Sequence, residues 1–357
     1  AGNSTTKSFV VDKTAPILDL KEFYAANETI NLVIEEKNLD YVMFDGDTTA
    51  FNSFMTSDLT EGTHTIIAYD KAGNSTKKTF VIDKTAPEFS VNEFYKESDT
   101  VVITIIETNL RSVTLDGNEQ RAARNWKANI LSEGIHIIKV TDKAGNSTTK
   151  SFIVDKTAPE FSVNAYYNAS ETVSLNIIEE NLDYVTFDDV KTTQREFLVV
   201  EYADGTHTIV VYDKAGNSTK KSFIIDTTAP SFSVNDFYRD EQTITVAIVE
   251  KNIGEVYFDG TSQGTARSWN TKDLTEGIPT IKVTDKAGNT KSKSFIVDKT
   301  APAFDIKEFY KENEEIILDI YEENILNITL DGSSIEYLVI KVSELEEKRH
   351  IVIVTDK

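Results

Sequence analysis

The chain contains no cysteine, little glycine or proline, and far fewer basic than acidic residues. Without cysteine it can form neither disulfides nor thiolate metal sites. No apolar run is long enough to span a bilayer, and no secretion leader follows Ala1, so we expect any signal or anchor to lie outside these residues. The net charge of −22 argues against a nucleic-acid partner, whose phosphates need a basic face, and favours cation binding.

One phrase recurs along the chain with a fixed period. It reads DKAGNSTKKTFVIDKTAP at residues 70–87 and returns with few changes. The prolines that anchor it are spaced by 71 or 72 residues: Pro16, Pro87, Pro159, Pro230 and Pro302. A period this long fits self-contained domains better than the coils of a parallel solenoid.

Apolar and polar residues alternate within each repeat, a pattern typical of strands with one buried face. In the first repeat Ile30, Leu32 and Ile34 are expected to face the core. The matching pairs in the other repeats are Ile103/Ile105, Leu175/Ile177, Val246/Ile248 and Leu318/Ile320. The region 47–59 varies most between repeats and predicts one or two short strands and a loop. About seven short strands in about 70 residues predict an antiparallel sandwich.

Four motifs occur together in each repeat: VDKTAP, an acidic-x-Asn turn such as EKN at Glu36–Asn38, DG, and YDKAGN. Over the whole chain this combination resembles the tandem bacterial immunoglobulin-like domains of large surface proteins and adhesins. The resemblance implies an all-β fold of tandem antiparallel immunoglobulin-like β-sandwiches arranged as an elongated extracellular rod at the bacterial cell surface. It also implies calcium at domain junctions.

The period predicts where the repeats begin and end. We expect four complete repeats at residues 13–83, 84–155, 156–226 and 227–298, and a fifth at 299–357 that lacks its last strand. Residues 1–12 are expected to be the last strand of a preceding repeat that is absent. Either the chain belongs to a longer protein, or Phe9 and Val11 of one copy fill the open groove of another copy's fifth repeat by strand addition.

Acidic residues recur at three positions that converge at the N-terminal pole of an immunoglobulin-like sandwich: the linker, the end of the second strand and the turn before the last strand. Glu36 is in phase with inward Ile34, and Asp70 with inward Ala68, so both carboxylates are expected at the core rim, from opposite sheets. The five sets are Asp12, Glu36 and Asp70; Asp83, Glu107 and Asp142; Asp155, Glu179 and Asp213; Asp226, Glu250 and Asp285; and Asp298, Glu322 and Asp356.

Two interpretations of these acids stay open. Buried carboxylates need a partner, and Ca²⁺ binds about six to eight oxygens of this kind, so the sets are candidate calcium sites and calcium is the one candidate cofactor. Alternatively, the aspartate of DKAGN accepts backbone N–H groups of a hairpin turn, in which Gly73 supplies positive φ, while Glu36 and Asn38 satisfy other turn amides.

Other recurring side chains are expected to be structural. Tyr24 and its counterparts, each preceded by an aromatic residue, should pack on the core edge or the domain junction. His64, His136, His207 and His350 share one position, where the fourth repeat has Pro279. A reused scaffold position explains these histidines better than a general base, and no serine elbow, phosphate loop or histidine metal motif is present. The chain is not expected to be an enzyme.

The sequence therefore predicts a structural stalk or spacer that projects a binding region from a bacterial surface. Its expected partners are neighbouring repeats, other copies arranged head to tail, and a host or cell-surface ligand bound through regions outside this chain. One alternative is a self-assembling extracellular fibre or surface-layer component. Another is a module that binds glycan or host protein, for which Trp126 and Trp269 in the variable region are the only hints.

Overall fold

The computed structural model describes residues 2–120 and 123–357. Ala1, at the start of the predicted 1–12 strand, and Arg121 and Ala122, in the predicted second repeat, lie outside the described residues. The chain divides into two compact units, Ala1–Glu160 with Ile178–Tyr184 and Val211–Thr219, and Phe161–Ile177 with Val185–Val210 and Lys220–Lys357. Within the described residues no helix has the length and apolar character that a membrane crossing needs.

We keep the five predicted repeats as names and number the strands in chain order. Repeat 1 contains β1 (Ile17–Asp19), β2 (Phe23–Tyr24), β3 (Thr29–Asn31), β4 (Val33–Glu35), β5 (Leu39–Phe44), β6 (Asp47–Thr49), β7 (Ser53–Met55), β8 (Gly62–Asp70) and β9 (Ser75–Ile82). Repeat 2 contains β10 (Glu88–Ser90), β11 (Phe94–Tyr95), β12 (Thr100–Val102), β13 (Thr104–Ile106), β14 (Leu110–Leu115), β15 (Asn118–Glu119), β16 (Asn125–Lys127), β17 (Gly134–Asp142) and β18 (Ser147–Val154).

Repeat 1 has two facing layers of strands. One layer pairs β1 with β4 and β3 with β7, all antiparallel, and the other is a five-stranded sheet in the order β2-β9-β8-β5-β6. Within the second layer β2 runs parallel to β9, with Phe23 opposite Val81 and Tyr24 opposite Ile82. Repeat 2 has the same arrangement, with a sheet ordered β11-β18-β17-β14-β15.

The core of repeat 1 lies between these layers. Leu18 and Ile30 from the first layer meet Ile66, Ala68 and Phe80 from the second. Leu32 and Ile34 also pack against this cluster, as do their counterparts in the described parts of repeats 2, 4 and 5. The alternation predicted from sequence is confirmed, and the chain is a tandem series of antiparallel immunoglobulin-like β-sandwiches.

The later repeats contain the remaining strands. Repeat 3 has β19 (Glu160–Ser162), β20 (Tyr166–Tyr167), β21 (Thr172–Ser174), β22 (Asn176–Ile178), β23 (Leu182–Phe187), β24 (Val190–Thr192), β25 (Glu196–Leu198), β26 (Gly205–Asp213) and β27 (Ser218–Ile225). Repeat 4 has β28 (Ser231–Ser233), β29 (Phe237–Tyr238), β30 (Thr243–Thr245), β31 (Ala247–Val249), β32 (Ile253–Phe258), β33 (Thr261–Ser262), β34 (Ser268–Asn270), β35 (Thr280–Asp285), β36 (Thr290–Ser294) and β37 (Ile296–Val297). Repeat 5 has β38 (Ala303–Asp305), β39 (Glu315–Ile317), β40 (Asp319–Tyr321), β41 (Ile325–Leu330), β42 (Ser333–Ser334), β43 (Val339–Lys341) and β44 (Val352–Asp356).

The variable region has the same elements in each repeat. In repeat 1 it forms the two short strands β6 and β7, as the sequence predicted, and a short 3₁₀ helix that the sequence did not predict. The five 3₁₀ helices among the described residues are Thr56–Asp58, Ala128–Ile130, Val199–Glu201, Thr271–Asp273 and Val342–Glu344.

Repeat 4 departs from the others at Pro279. In repeat 1 the strand β8 pairs without interruption from Gly62 to Tyr69 with β9. In repeat 4 the corresponding strand β35 begins only at Thr280, and the last strand is divided into β36 and β37. Proline has no N–H to donate to the opposite strand, so the pairing is interrupted beside it.

Repeat 5 differs from the other repeats at Phe309 and Tyr310. Its described part has a three-stranded sheet, β42-β41-β44, and Phe309 and Tyr310 form no strand. Their counterparts in the other repeats pair in parallel with the last strand. Phe309 is 82% exposed. Residues 2–12 also form no strand, and Phe9 is 87% exposed. The prediction that residues 1–12 are the last strand of a preceding repeat stays a prediction.

A proline at the histidine position should destabilise the sheet of any repeat that carries it. His64→Pro should interrupt β8 as Pro279 interrupts its counterpart, and cost about 1–2 kcal/mol, since at least one sheet hydrogen bond is lost. Hydrogen exchange of the whole chain, resolved by peptide, should then show faster exchange across residues 62–82. The matched reverse change, Pro279→His, should slow exchange across residues 277–297. Unchanged exchange in both variants would contradict this explanation.

Candidate metal centre

The structure brings together the acids that the sequence grouped. In four sets, one carboxylate oxygen of each residue lies within 4.8 Å of the other two: Asp12, Glu36 and Asp70; Asp83, Glu107 and Asp142; Asp226, Glu250 and Asp285; and Asp298, Glu322 and Asp356. The third set has the same local bonds. There Asn181 donates from its side-chain Nδ2 to Asp155 Oδ2 (3.1 Å) and from its backbone N–H to Glu179 Oε1 (2.7 Å).

The turn aspartate accepts hydrogen bonds from its own hairpin. Asp70, the last residue of β8, is buried. Its Oδ1 accepts from the backbone N–H groups of Ala72 (2.9 Å) and Asn74 (2.8 Å), and its Oδ2 accepts from the Asn74 side chain (2.7 Å). These three donors hydrogen-bond the buried carboxylate within its own turn. The predicted role of this aspartate in the turn is therefore confirmed.

The strand-end glutamate and the asparagine two residues later form a second turn contact. The N–H of Asn38 donates to Glu36 Oε1 (2.7 Å), and its side-chain Nδ2 donates to Asp12 Oδ2 (3.1 Å). The hydrogen bond from the Asn38 side chain lowers the pKa of the Asp12 carboxyl below its usual value, and the bond from the Thr14 N–H lowers it further. These bonds favour the ionised form of the Asp12 carboxyl.

The linker aspartate joins two repeats. Asp83 donates its N–H to the carbonyl of Tyr24 in repeat 1 (3.0 Å). From repeat 2, the side chain of Asn109 donates to Asp83 Oδ2 (3.1 Å), and the side chain of Asn146 donates to the Asp83 carbonyl (2.8 Å). The same three bonds recur at Asp155 and Asp226. We call this residue the bridging aspartate.

The residues after the bridging aspartate bond to the preceding repeat. Lys84 Nζ donates to the Leu59 carbonyl (2.7 Å), and Thr85 Oγ1 donates to Glu61 Oε1 (3.0 Å). Where Thr227 replaces the lysine, this threonine donates instead to Asp204 Oδ1 (2.7 Å). This position therefore does not require an ammonium, because a hydroxyl makes an alternative bond.

The acidic sets have no basic partner among the described residues. None of their carboxylates takes part in an ion pair of those residues. Three like charges within a few ångströms repel one another, while their oxygens are the hard donors that Ca²⁺ prefers. The donor set therefore fits a hard divalent cation, and Asp83, Glu107 and Asp142 are one set that could hold it.

A histidine–aspartate pair is a feature that sequence reasoning missed. His64 Nδ1 lies 2.6 Å from Asp45 Oδ2, and its Nε2 lies 2.8 Å from the Thr60 carbonyl. Both ring nitrogens therefore face oxygen atoms, one from a carboxylate and one from a backbone carbonyl. The same contacts surround His136, His207 and His350. Both residues recur in the sequence, but only the folded sheet places them together.

The two tryptophans are not exposed binding aromatics. Trp126 lies opposite Val101, is 8% exposed, and donates its Nε1–H to Gln120 Oε1 (2.9 Å). Trp269 packs against the core of repeat 4, with its ring 5.3 Å from that of Phe258. The hint that these residues mark a ligand site is wrong, because both rings fill the space between the layers.

The repeated tyrosine is a core residue. Tyr24 is buried, its ring meets Phe80 edge to face at 5.5 Å, and its hydroxyl oxygen accepts the Lys21 N–H (3.0 Å). Burial raises the pKa of Tyr24, and also of Tyr95 and Tyr167. The prediction of packing at the core edge is confirmed for these rings.

Repeat 5 should lose stability in alkaline solution because the contribution of His350 is lost there. The Glu346 carbonyl and then Asp331 raise the pKa of His350, so its contribution is fully present below the histidine's unfolded pKa and is lost as pH rises through the folded one. The Ile351 N–H and then His350 lower the pKa of Asp331, whose contribution is lost as pH falls. The stability that this pair contributes should be greatest at a pH between the ordinary pKa values of aspartate and histidine.

Proton NMR titration of the whole chain can test this pair, since the chain has only four histidines. His350→Gln identifies the signal of this residue. We expect His350 to titrate above its ordinary range, and Asp331→Asn to lower its pKa. A titration that is unchanged in Asp331→Asn would contradict the assignment.

No family model and no curated protein matches this chain. Solved structures similar to it include the N-terminal eight Ig domains of Down Syndrome Cell Adhesion Molecule, the insect immune protein hemolin and an ICAM-5 ectodomain fragment. Their identities are 12%, 12% and 10%, with TM-scores of 0.24, 0.26 and 0.26. The matches cover 96%, 80% and 79% of this chain and 56%, 100% and 98% of those chains. The chain thus spans little more than half of the first structure, and its fold assignment rests on its own strand order and register.

Proposed function

We propose that the chain is a non-enzymatic structural spacer of an extracellular protein at a bacterial surface, in which neighbouring repeats keep a fixed orientation. The observation that carries this proposal is the bridging aspartate. Asp83 donates to the Tyr24 carbonyl of one repeat and accepts from Asn109 and Asn146 of the next. A linker that is hydrogen-bonded to the repeats on both sides has little conformational freedom, so each added repeat would increase the length of the spacer.

Calcium is proposed to stiffen these joints further. The support is the chemistry of the donors: three carboxylates lie within 4.8 Å of one another in a set, and each set contains a linker aspartate. Asp83, Glu107 and Asp142 would hold the ion at the first complete junction. A bound cation would supply the positive charge that compensates three acids and would tie the linker to the following repeat.

Glu107→Gln should change stability in opposite directions with and without calcium. Glutamine keeps an oxygen to accept the Asn109 N–H but removes one of three close negative charges. In chelator the variant should melt higher than the wild type. In excess calcium it should melt lower, because a native-state ligand at 100 times its Kd stabilises by about 2.7 kcal/mol and the variant would bind it more weakly.

The matched control is Glu88→Gln, a charge removal at an exposed strand position of the same repeat. Thermal unfolding in calcium and in chelator should show no such crossover for this control. If the wild type and Glu107→Gln melt identically in both solutions, no calcium is bound there. The acids would then serve their turns alone.

Small-angle scattering on the same samples tests the spacer itself. A globular chain of this length would have a radius of gyration of about 21 Å. A spacer whose repeats each contribute about 35 Å predicts a much larger value and a maximum dimension on the order of 150–180 Å. A compact particle would contradict the spacer function, whatever the calcium result.

A further inference from the structure

A lysine of one repeat lies over an aromatic ring of the preceding repeat at four junctions. Lys143 Nζ is 5.0 Å from the centre of the Phe23 ring. The corresponding pairs are Lys214 with Phe94 at 5.3 Å, Lys286 with Tyr166 at 5.6 Å, and Lys357 with Phe237 at 5.3 Å. All four distances are within about 6 Å, where an ammonium is attracted by the negative face of a ring.

Both partners are held by the backbone. Phe23 is half-buried and lies in β2, which pairs with the end of β9 next to the linker. Lys143 directly follows β17, and its N–H donates to the Asn109 carbonyl (2.8 Å). The backbone therefore holds the ring beside the last strand of one repeat, and it holds the lysine in the turn of the next repeat. Neither position depends on the contact between the two side chains.

The lysine's position is not explained by the acids beside it. Lys143 follows Asp142, a member of an acidic set, yet none of the ion pairs among the described residues involves Lys143 or its counterparts. The ammonium lies over the ring of the neighbouring repeat instead. An alkyl chain of this length can reach an adjacent ring while its charged end stays near water.

The same turn has a second contact with the preceding repeat at one junction. Asn168, the residue after Tyr167, donates its side-chain Nδ2 to the Ala287 carbonyl (2.8 Å), next to Lys286. The ring position is half-buried at each of the four junctions where such a turn lies against it, at Phe23, Phe94, Tyr166 and Phe237.

We propose that this lysine–aromatic pair is an interlocking contact that recognises and orients the following repeat without any bound cation. The chemistry it recognises is the Asp-Lys turn of the repeat that follows. The pair deepens the proposed spacer function, but it holds whether or not calcium binds.

The absence of cysteine allows a direct test in the whole chain. Spin labels attached at Ser57→Cys in repeat 1 and Thr149→Cys in repeat 2, both exposed positions, report the distance between these repeats by double electron–electron resonance in chelator. Phe23→Leu and Lys143→Met each remove the attraction while keeping apolar bulk. Each should increase the population outside the main distance peak by roughly two- to five-fold.

Three variants serve as controls. Phe23→Tyr introduces the residue that occupies position 166, and Lys143→Arg keeps the charge, so both should resemble the parent. Lys71→Met removes the matching lysine of repeat 1, over which no aromatic ring of the described residues lies, and it should also have no effect. The double variant of Phe23→Leu and Lys143→Met should be no broader than either single variant.

Unchanged distributions in both single variants would overturn the proposal, and so would fully additive broadening in the double variant. If one single variant melts lower than Lys71→Met by circular dichroism, its broadening could come from unfolding. The comparison with the parent then uses the other single variant. A broad distribution in the parent that broadens further in the variants would contradict the fixed spacer while supporting the pair. The two proposals therefore fail separately.

Discussion

The bridging aspartate is the contact on which each junction depends. Its N–H belongs to the hydrogen bonding of the preceding repeat, while its carboxylate and carbonyl belong to the following one. Losing a buried partner on either side leaves a polar group unsatisfied, which costs more than the bond itself contributes. This residue therefore couples the end of one sandwich to the start of the next.

The same position concentrates negative charge. Asp83 lies with Glu107 and Asp142 in a set without an ion-pair partner among the described residues. Hairpin N–H groups satisfy the buried turn aspartate, but they do not remove the repulsion between the three acids. The arrangement provides a reason for a divalent cation at the joint. The lysine–aromatic pair lies beside it and would stabilise the same joint without one.

Strand phase and strand ends were sufficient to predict much of this arrangement. Ile30 and Ile66 face the core because alternate side chains share a face, and Glu36 and Asp70 meet because they end in-phase strands at one pole. The partners of loop residues could not be predicted this way. His64 with Asp45, Trp126 with Val101, and Lys143 with Phe23 depend on how separate segments pack, which periodicity does not encode.

The most direct measurement is NMR-detected hydrogen exchange at the N–H groups of Asp83, Asp155 and Asp226 in the intact chain. The account predicts that these linker amides are protected like those of the adjoining strands, because each donates to a carbonyl of the preceding repeat. Exchange at the rate of an unstructured peptide would show that the linkers are free, and would contradict a fixed junction.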